Sequence, residues 1–169
     1  MGTGPKSHRC KRINLRISGN SEDNFCSKRL TVHSSIKLRV RFFELDPYAH
    51  VNHSVYVQYF EEARISSLSE VGESVDDLLS RDIALVITDI QTRYFAPAFL
   101  GDELIIESGI SELRGASTTW LQKIRKDNLI IATQKTRTGC TSINGKPKRF
   151  PESLISSVQE LLVSEEWFS

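Results

Sequence analysis

The stretch FELDPYAHVNHSVYVQYFEEAR, residues 43–64, places an acid, two histidines and an asparagine between segments of different hydrophobic period. Residues 36–43 begin by alternating apolar and basic side chains, which predicts a half-buried β-strand. Asp46, followed by proline, favours a turn that ends this strand. From His53 to Val71 apolar residues recur at three- and four-residue steps, which predicts an amphipathic helix of about five turns. The stretch therefore predicts polar chemistry concentrated at the start of a helix.

Capping residues mark both ends of this predicted helix. Asn52 is a suitable N-cap, because its side chain accepts a hydrogen bond from the first turn. Gly72 is a suitable C′ residue, because glycine tolerates a left-handed backbone. Ser74 opens SVDD, residues 74–77, with the spacing of a capping-box-like start. A second, short helix is therefore predicted directly after the first.

The C-terminal half is predicted to form strands and one more helix. Short turns separate the strands and favour an antiparallel meander. Pro151 is predicted at the first helical position of a terminal helix that carries Leu154, Val158, Leu161 and Leu162 on one face. These elements predict an α+β domain over residues 36–163, with a curved antiparallel sheet of about five strands round one long helix, plus a C-terminal helix. The later strands are predicted at 83–94, 103–113, 117–126 and 128–143.

The two ends of the chain are expected to lie outside this domain. Residues 1–35 carry seven basic and two acidic side chains, whereas the whole chain has a net charge of only +1. This basic segment without an apolar period is typical of organelle transit peptides, and also of disordered or cloning-derived tails. Both interpretations stay open, so the expected compartment is a plastid or the cytoplasm. Residues 164–169 are expected to form a short tail.

The composition argues against several classes of protein. The charge is too balanced for nucleic-acid binding, and no apolar run approaches the roughly 20 residues of a membrane span. Cys10, Cys26 and Cys140 are odd in number and widely spaced, which favours a reducing, soluble compartment over a disulfide framework. Cys140 is expected to be a small buried hydrophobic residue in a strand. Neither a Gly-rich phosphate loop nor metal-ligand spacing occurs, so no cofactor and no metal are expected.

The polar junction resembles the signature of acyl-CoA thioesterases of the 4-hydroxybenzoyl-CoA type, which have the hotdog fold. Two further blocks, residues 94–124 and 146–154, are similar to the Tol-Pal-associated subfamily of these enzymes. The resemblance covers about residues 36–160. The positions that match the signature are Phe43, Asp46, Val51, His53, Tyr56, Tyr59 or Phe60, Glu62, Ala63 and Arg64.

The resemblance implies roles for individual residues. Asp46 matches the catalytic acid, and His53 matches a position that holds histidine in the Tol-Pal-associated subfamily. Elsewhere in the family the backbone N–H at this position, at the start of the helix, binds the thioester carbonyl. Ala49 stands where the pattern has glycine, so a positive φ there would strain the loop. The segment HVNH, 50–53, mixes an asparagine subtype with a histidine subtype.

Thioester hydrolysis needs a nucleophile or an activated water, charge relief for the oxyanion, and a grip on the substrate. A helix N-terminus offers unpaired N–H donors and partial positive charge for the oxyanion. Asp46 can attack the carbonyl carbon directly or activate water, and both alternatives stay open. The His53 side chain can orient water or stabilise charge near neutral pH.

The residues around this pair have functional and structural interpretations. Asn52 is expected to contact the substrate or to serve only as a helix cap. Tyr56 and Tyr59 are expected to line the substrate pocket or the core. Glu62 is expected to be a surface or interface carboxylate that pairs with Arg64 or with a neighbouring chain, and a catalytic role is the alternative. The aromatic residues expected mostly in the core, with some lining an acyl tunnel, are Phe42, Phe43, Tyr94, Phe95 and Phe99.

A CoA thioester also brings phosphate groups, which calls for a basic rim. Arg114 is one candidate, and Lys146, Lys148 and Arg149 form another cluster. A solvated surface is the alternative interpretation for each of these side chains.

Together these features predict a hydrolase that cleaves acyl-CoA to free acid and CoA. One alternative is a plastid thioesterase that acts on acyl-carrier protein, and another is a hotdog dimer that binds acyl thioesters without turning them over. A single sheet exposes an edge and an open face, and the resemblance implies pairing across a dimer. A homodimer or homotetramer with interfacial sites is therefore expected.

Overall fold

The computed structural model describes residues 34–168, so Cys10, Cys26 and nearly all of the basic segment 1–35 lie outside it. Strand β1 (Ser34–Arg39) is followed by the long helix α1 (His53–Glu70) and the short helix α2 (Val75–Ser80). The strands that follow are β2 (Ala84–Tyr94), β3 (Glu103–Arg114), β4 (Ser117–Lys126) and β5 (Leu129–Thr141). Two short helices, α3 (Glu152–Ser157) and α4 (Glu165–Phe168), come after the sheet.

Within residues 34–168 the strands form one antiparallel sheet of five, in the order β1-β3-β4-β5-β2. Helix α1 packs on one face of this sheet and buries Phe60 and Ala63 against Leu104, Ile106 and Ile124. The predicted α+β hotdog architecture, a curved sheet round one long helix, is therefore confirmed. Cys140 is 2% exposed in β5, as predicted, and burial raises the pKa of its thiol.

The predicted helix caps are also confirmed. Oδ1 of Asn52 accepts a hydrogen bond from the N–H of Ser54 at 2.9 Å. Gly72 follows the end of α1 with a φ of 79°, which glycine adopts without strain. The N–H of Asp77 donates to Oγ of Ser74 at 3.2 Å and caps α2. Local sequence therefore fixes both helix starts.

Strand β1 ends earlier than predicted. It stops at Arg39, and residues Phe42–Glu44 form a 3₁₀ turn instead of continuing the strand to residue 43. The cause is a local hydrogen bond, because the N–H of Arg41 donates to the Glu44 carboxylate at 2.6 Å and closes the turn. Phe42 and Phe43 lie on this turn and are largely exposed.

The terminal helix is also shorter than predicted. Pro151 is its N-cap rather than its first helical residue, and a 3₁₀ turn, Val158–Leu161, replaces the helix after Ser157. The chain then leaves the helix because the N–H of Val163 donates to the carbonyl of Ile110 in β3 at 2.9 Å. As a result Leu162 is partly exposed, whereas the other three predicted apolar residues of this face are buried.

A buried row of polar side chains lies between α1 and the sheet. The amide of Gln122 donates to the carbonyl of Phe60 and to Oγ of Ser108, both at 2.8 Å. Its Oε1 accepts a 2.7 Å hydrogen bond from Nη1 of Arg64. Arg64, on the face of α1 that packs against the sheet, is 93% buried. The expected pairing of Arg64 with the exposed Glu62 does not form in this chain.

Candidate active site

The loop between β1 and α1 fixes the side chain of Asp46. Oδ1 of Asp46 accepts hydrogen bonds from the N–H of Tyr48 at 2.8 Å and of His50 at 3.2 Å. The N–H of Asp46 donates to the carbonyl of His50 at 2.8 Å, and that of Ala49 to the carbonyl of Asp46 at 3.0 Å. This tight turn needs a left-handed residue, and Ala49 has a φ of 63°. The strain expected from the missing glycine is therefore present.

The connection between β2 and β3 supports this loop. The N–H of Val51 donates to the carbonyl of Ala98 at 2.9 Å, and His50 pairs with Phe99 in an isolated bridge. The rings of His50 and Phe99 meet edge to face, with centroids 5.2 Å apart. Two segments distant in sequence thus hold the acid loop in place.

The first turn of α1 leaves the N–H of His53 available. The N–H of Asn52 donates to the carbonyl of Glu44, and the N–H of Val55 donates to the carbonyl of Asn52, both at 2.9 Å. Ser54 donates to the capping side chain. The N–H of His53 has no hydrogen-bond acceptor within residues 34–168. A helix N-terminus with a free N–H is suited to binding an oxyanion.

Asp46 and this helix start line the same cavity, which has a volume of about 330 Å³. Tyr56 forms part of its wall, and the Tyr56 hydroxyl accepts a 3.0 Å hydrogen bond from the N–H of Ala98. Burial raises the pKa of Tyr56, which stays protonated. The hydroxyl of Tyr94 donates to the carbonyl of His53 at 3.0 Å and holds the helix start against β2. The structure therefore brings together Asp46, His53 and Tyr56.

The two other residues predicted to contact the substrate, Asn52 and Tyr59, form hydrogen bonds within the protein. The side chain of Asn52 serves as the helix cap. Tyr59 is 4% exposed and does not line the cavity of Asp46. It donates instead to Oε2 of Glu44 at 2.6 Å. The sequence analysis did not single out Glu44. Its only local signal is that it lies three residues after Arg41, which lets its carboxylate accept a hydrogen bond from the Arg41 N–H.

The predicted CoA-binding residues lie at the other end of the sheet within this chain. Nη2 of Arg114 is 2.6 Å from Oε1 of Glu112, beside the β3–β4 turn. Nζ of Lys148 donates to the carbonyl of Asp82 at 2.7 Å, next to the start of β2. Tyr94, at the cavity, ends the same 11-residue strand, which spans roughly 33 Å at about 3.3 Å per residue. One chain therefore does not bring Arg114, Lys146, Lys148 or Arg149 to Asp46.

The five aromatic residues predicted to lie mostly in the core are exposed in this chain, so that expectation is wrong. They occupy the 3₁₀ turn, the end of the edge strand β2 and the β2–β3 connection, where α1 does not cover them. Their exposed fractions are 76% for Phe42, 64% for Phe43, 46% for Tyr94, 60% for Phe95 and 43% for Phe99.

None of the helices within residues 34–168 has the length and apolar character needed to cross a membrane.

The family profile and two related proteins that this chain matches are described as thioesterases or thioester hydrolases. The profile of the Thioesterase-like superfamily matches residues 40–158. The acyl-CoA thioester hydrolase YbgC of Escherichia coli is 28% identical over 125 residues, which cover 73% of this chain and 93% of that protein. The chloroplastic acyl-acyl carrier protein thioesterase ATL3 of Arabidopsis thaliana is 29% identical over 84 residues, 50% of this chain and 44% of that protein.

A solved structure agrees with these sequence matches. The crystal structure of a probable thioesterase from Bartonella henselae superposes with a TM-score of 0.69 at 26% identity, over 71% of this chain and 100% of that one. The family profile spans well over half of this chain, and the five-stranded antiparallel sheet with its long helix agrees with the hotdog fold. The chain therefore belongs to the Thioesterase-like superfamily.

Proposed function

We propose that the protein hydrolyses acyl-CoA thioesters to a free carboxylic acid and CoA. The observation that carries the proposal is that Asp46 and the unpaired N–H of His53 line one cavity of about 330 Å³. A carboxylate beside an oxyanion donor is the minimum that acyl transfer to water requires. Membership of the Thioesterase-like superfamily and the name of the relative YbgC support the same activity.

The substrate carbonyl oxygen accepts a hydrogen bond from the N–H of His53, at the positive end of α1. Asp46 then follows one of two routes. It attacks the carbonyl carbon to give a mixed anhydride that water cleaves, or it removes a proton from the water that attacks. In both routes the C–S bond breaks and the CoA thiolate leaves and takes up a proton. Removing one such oxyanion donor lowers the rate by roughly 10²–10³-fold in other enzymes.

We further propose a homodimer joined through β2. This strand is an edge of the sheet formed by residues 34–168, and Ile87, Ile90 and Tyr94 are all more than 40% exposed. Pairing with β5 directs these three side chains toward the face that carries α1, because their partners on β5 are the buried Thr138, Thr136 and Ala132. A free edge with uncovered apolar side chains favours association. A second copy related by a two-fold axis would cover it.

Antiparallel pairing of two β2 strands also bears on the predicted CoA-binding residues. It sets the Tyr94 end of one strand beside the Ala84 end of the other. Lys148, anchored beside the start of β2, would then approach the cavity of the second copy, together with its neighbours Lys146 and Arg149. Phosphate groups of a bound CoA would find their cations there. Arg114 has no comparable geometric support, because it is paired with Glu112.

The direct test is release of CoA from acyl-CoA thioesters, measured with a thiol reagent across acyl chain lengths. The wild-type protein is expected to release CoA, and Asp46→Asn to do so at least about 10²-fold more slowly. Asp76→Asn removes an exposed carboxylate from α2 and is the matched control. Equal rates for wild type and Asp46→Asn, or no release from any thioester, would reject the proposal. A wild-type protein that binds acyl thioesters without releasing CoA would instead be the non-catalytic dimer.

An acyl-carrier-protein thioester is the second candidate substrate. The name of the chloroplastic relative ATL3 and the basic residues 1–35 favour it. Rates with matched acyl-CoA and acyl-carrier-protein substrates separate the two. Localisation of a fluorescent fusion with and without residues 1–35 tests the transit peptide, and an unchanged distribution after deletion would count against it.

A further inference from the structure

A second cavity lies between α1, α2 and β2, distinct from that of Asp46. It has a volume of about 290 Å³, at the lower end of the roughly 300–1,000 Å³ of typical ligand pockets. Its wall is mostly apolar and includes Leu68, Leu78, Leu85, Ile87 and Trp120. None of these residues lines the cavity that contains Asp46.

Arg64 supplies a buried positive charge to this apolar wall. Its side chain lines the cavity, the residue is 93% buried, and one nitrogen donates to the neutral Oε1 of Gln122. Within residues 34–168 no carboxylate lies within ion-pair distance of the guanidinium. Burial lowers the pKa of Arg64, which reflects the cost of removing this charge from water.

A buried cation without a carboxylate partner is expensive, and the remaining N–H groups of Arg64 form a fork suited to a planar anion. Glu61, one turn earlier on α1, is the acid nearest to this charge. Its side chain also lines the cavity but is exposed and makes no ion pair with Arg64. The Glu61 charge acts to raise the pKa of Arg64, against the larger effect of burial, but Glu61 forms no hydrogen bond or ion pair with the guanidinium. A ligand carboxylate would therefore compete with no existing ion pair of Arg64.

We propose that this cavity binds a small apolar carboxylic acid or an acyl group that carries a distal carboxylate, with the carboxylate paired to Arg64. The apolar body of the ligand would pack against Trp120 and the aliphatic wall. Two sources supply this chemistry, namely a free acid such as a hydrolysis product, and the far end of the acyl group of a thioester. The second source rests on the proposed function, whereas binding of a free acid does not.

Trp120 provides the reporter. The chain has two tryptophans, so Trp167→Phe leaves Trp120 as the only one, and its fluorescence can be titrated with octanoate. We expect saturable binding that Arg64→Met weakens about tenfold or more, since a charge-assisted hydrogen bond is lost. Neutral 1-octanol is expected to bind more weakly and to be indifferent to Arg64→Met. Arg137→Met, which removes an exposed arginine of β5, is the matched control.

A second variant keeps the test independent of the folding of Arg64→Met. Val75 lines the cavity and is 42% exposed, so Val75→Phe narrows the cavity while Arg64 stays intact. Octanoate affinity is expected to fall in this variant too. Asp46→Asn is expected to bind octanoate as the wild type does, which separates failure of this inference from failure of the proposed hydrolysis.

Substrates distinguish the two sources. If the acyl group itself supplies the anion, Arg64→Met raises KM for an ω-carboxyoctanoyl-CoA and not for octanoyl-CoA. If a free acid is the ligand, octanoate binds the wild type, and Arg64→Met changes neither KM. The proposal would be overturned if the wild type does not bind octanoate, or if Arg64→Met binds it as the wild type does, and if Arg64→Met also changes KM equally for both thioesters. A second result would also overturn the proposal. Glu61→Gln and Arg64→Met would destabilise the dimer equally, and the double variant would be no less stable than either. Glu61 of a second copy would then be the partner of Arg64.

Discussion

The hydroxyl of Tyr59, in the middle of α1, donates a 2.6 Å hydrogen bond to Oε2 of the buried Glu44. The N–H of Arg41 donates to the same oxygen at 2.6 Å. The backbone carbonyl of Glu44 accepts in turn from the N–H of Asn52 at the start of the helix. One residue thereby ties the loop that carries Asp46 to both the start and the middle of α1.

Removal of this tie is expected to loosen the loop. We expect Tyr59→Phe to lower the free energy of unfolding by about 1–3 kcal/mol, because a buried carboxylate loses a donor. Urea denaturation measures the change, and CoA release measures the effect on the loop. Tyr48→Phe, at a tyrosine that is 79% exposed, is the control and is expected to change neither. Equal stabilities of Tyr59→Phe and wild type would show that the hydrogen bond contributes nothing.

The same carboxylate predicts an acid-dependent part of stability. Burial acts to raise the pKa of Glu44, but hydrogen bonds from Tyr59 and from the backbone and guanidinium of Arg41 outweigh it and hold the pKa below its ordinary value. Stability from Glu44 is therefore fully present above the unfolded pKa of about 4.3 and is lost as pH falls through the folded value. Glu44→Gln is expected to flatten the fall in unfolding free energy below pH 5. An unchanged pH dependence of urea denaturation would contradict this assignment.

The backbone donor of His53 can be separated from its side chain. Proline is tolerated at the first position of a helix, so His53→Pro removes the N–H while α1 can still start there. We expect His53→Pro to lower kcat for thioester hydrolysis by roughly 10²–10³-fold, as for loss of an oxyanion donor. His53→Ala keeps the N–H and is expected to cost much less. The reverse order of the two variants would assign the role to the imidazole.

The left-handed residue in the acid loop predicts an unusual response to glycine. Ala49 has a φ of 63°, so Ala49→Gly relieves strain of about 1–2 kcal/mol while costing about 0.4–1 kcal/mol through the freer unfolded chain. We expect its thermal midpoint to equal or exceed that of the wild type. Ala63→Gly, in the buried face of α1, is expected to destabilise by at least about 1 kcal/mol. A similar loss in both variants would argue against strain at Ala49.

The exposed edge strand predicts where association can be broken. Ile90→Lys places a charge among the uncovered apolar side chains of β2 and is expected to shift the protein from dimer to monomer in sedimentation experiments. Ile143→Lys, at a residue 59% exposed in the turn after β5, is the control for an added lysine. A wild-type monomer, or a dimer that survives Ile90→Lys, would exclude the proposed interface.

Local patterns predicted most of the fold because helix caps and strand periods act over a few neighbouring residues, as the turns and element ends that they define do. Asn52, Ser74 and Gly72 act on neighbouring backbone groups, and the limits of the predicted β4, residues 117–126, agree with the structure. The exposure of Phe42 was not predictable from such patterns, since it depends on a turn closed by a side chain three residues away from the bonded N–H.

At the site, the resemblance to the thioesterase signature brought out Asp46 and His53, and the Asn52 cap and the helical period predicted the helix start at His53. The partners of Glu44, Tyr59 and Arg64 were hidden for a different reason. Each lies on a helix or turn that looks amphipathic, and its hydrogen bonds depend on which face the sheet covers. Such pairs become visible only when the tertiary packing is known.

Gln122 fixes α1 on the sheet through two hydrogen bonds to the helix. Its amide donates to the carbonyl of Phe60 and its Oε1 accepts from Arg64, so displacing the helix along the sheet would break hydrogen bonds of a fully buried side chain, at a cost of about 1–3 kcal/mol. An all-apolar layer would permit several such offsets of similar energy. The buried amide thus limits sliding of α1 on the sheet, and with it any displacement of the helix start at His53.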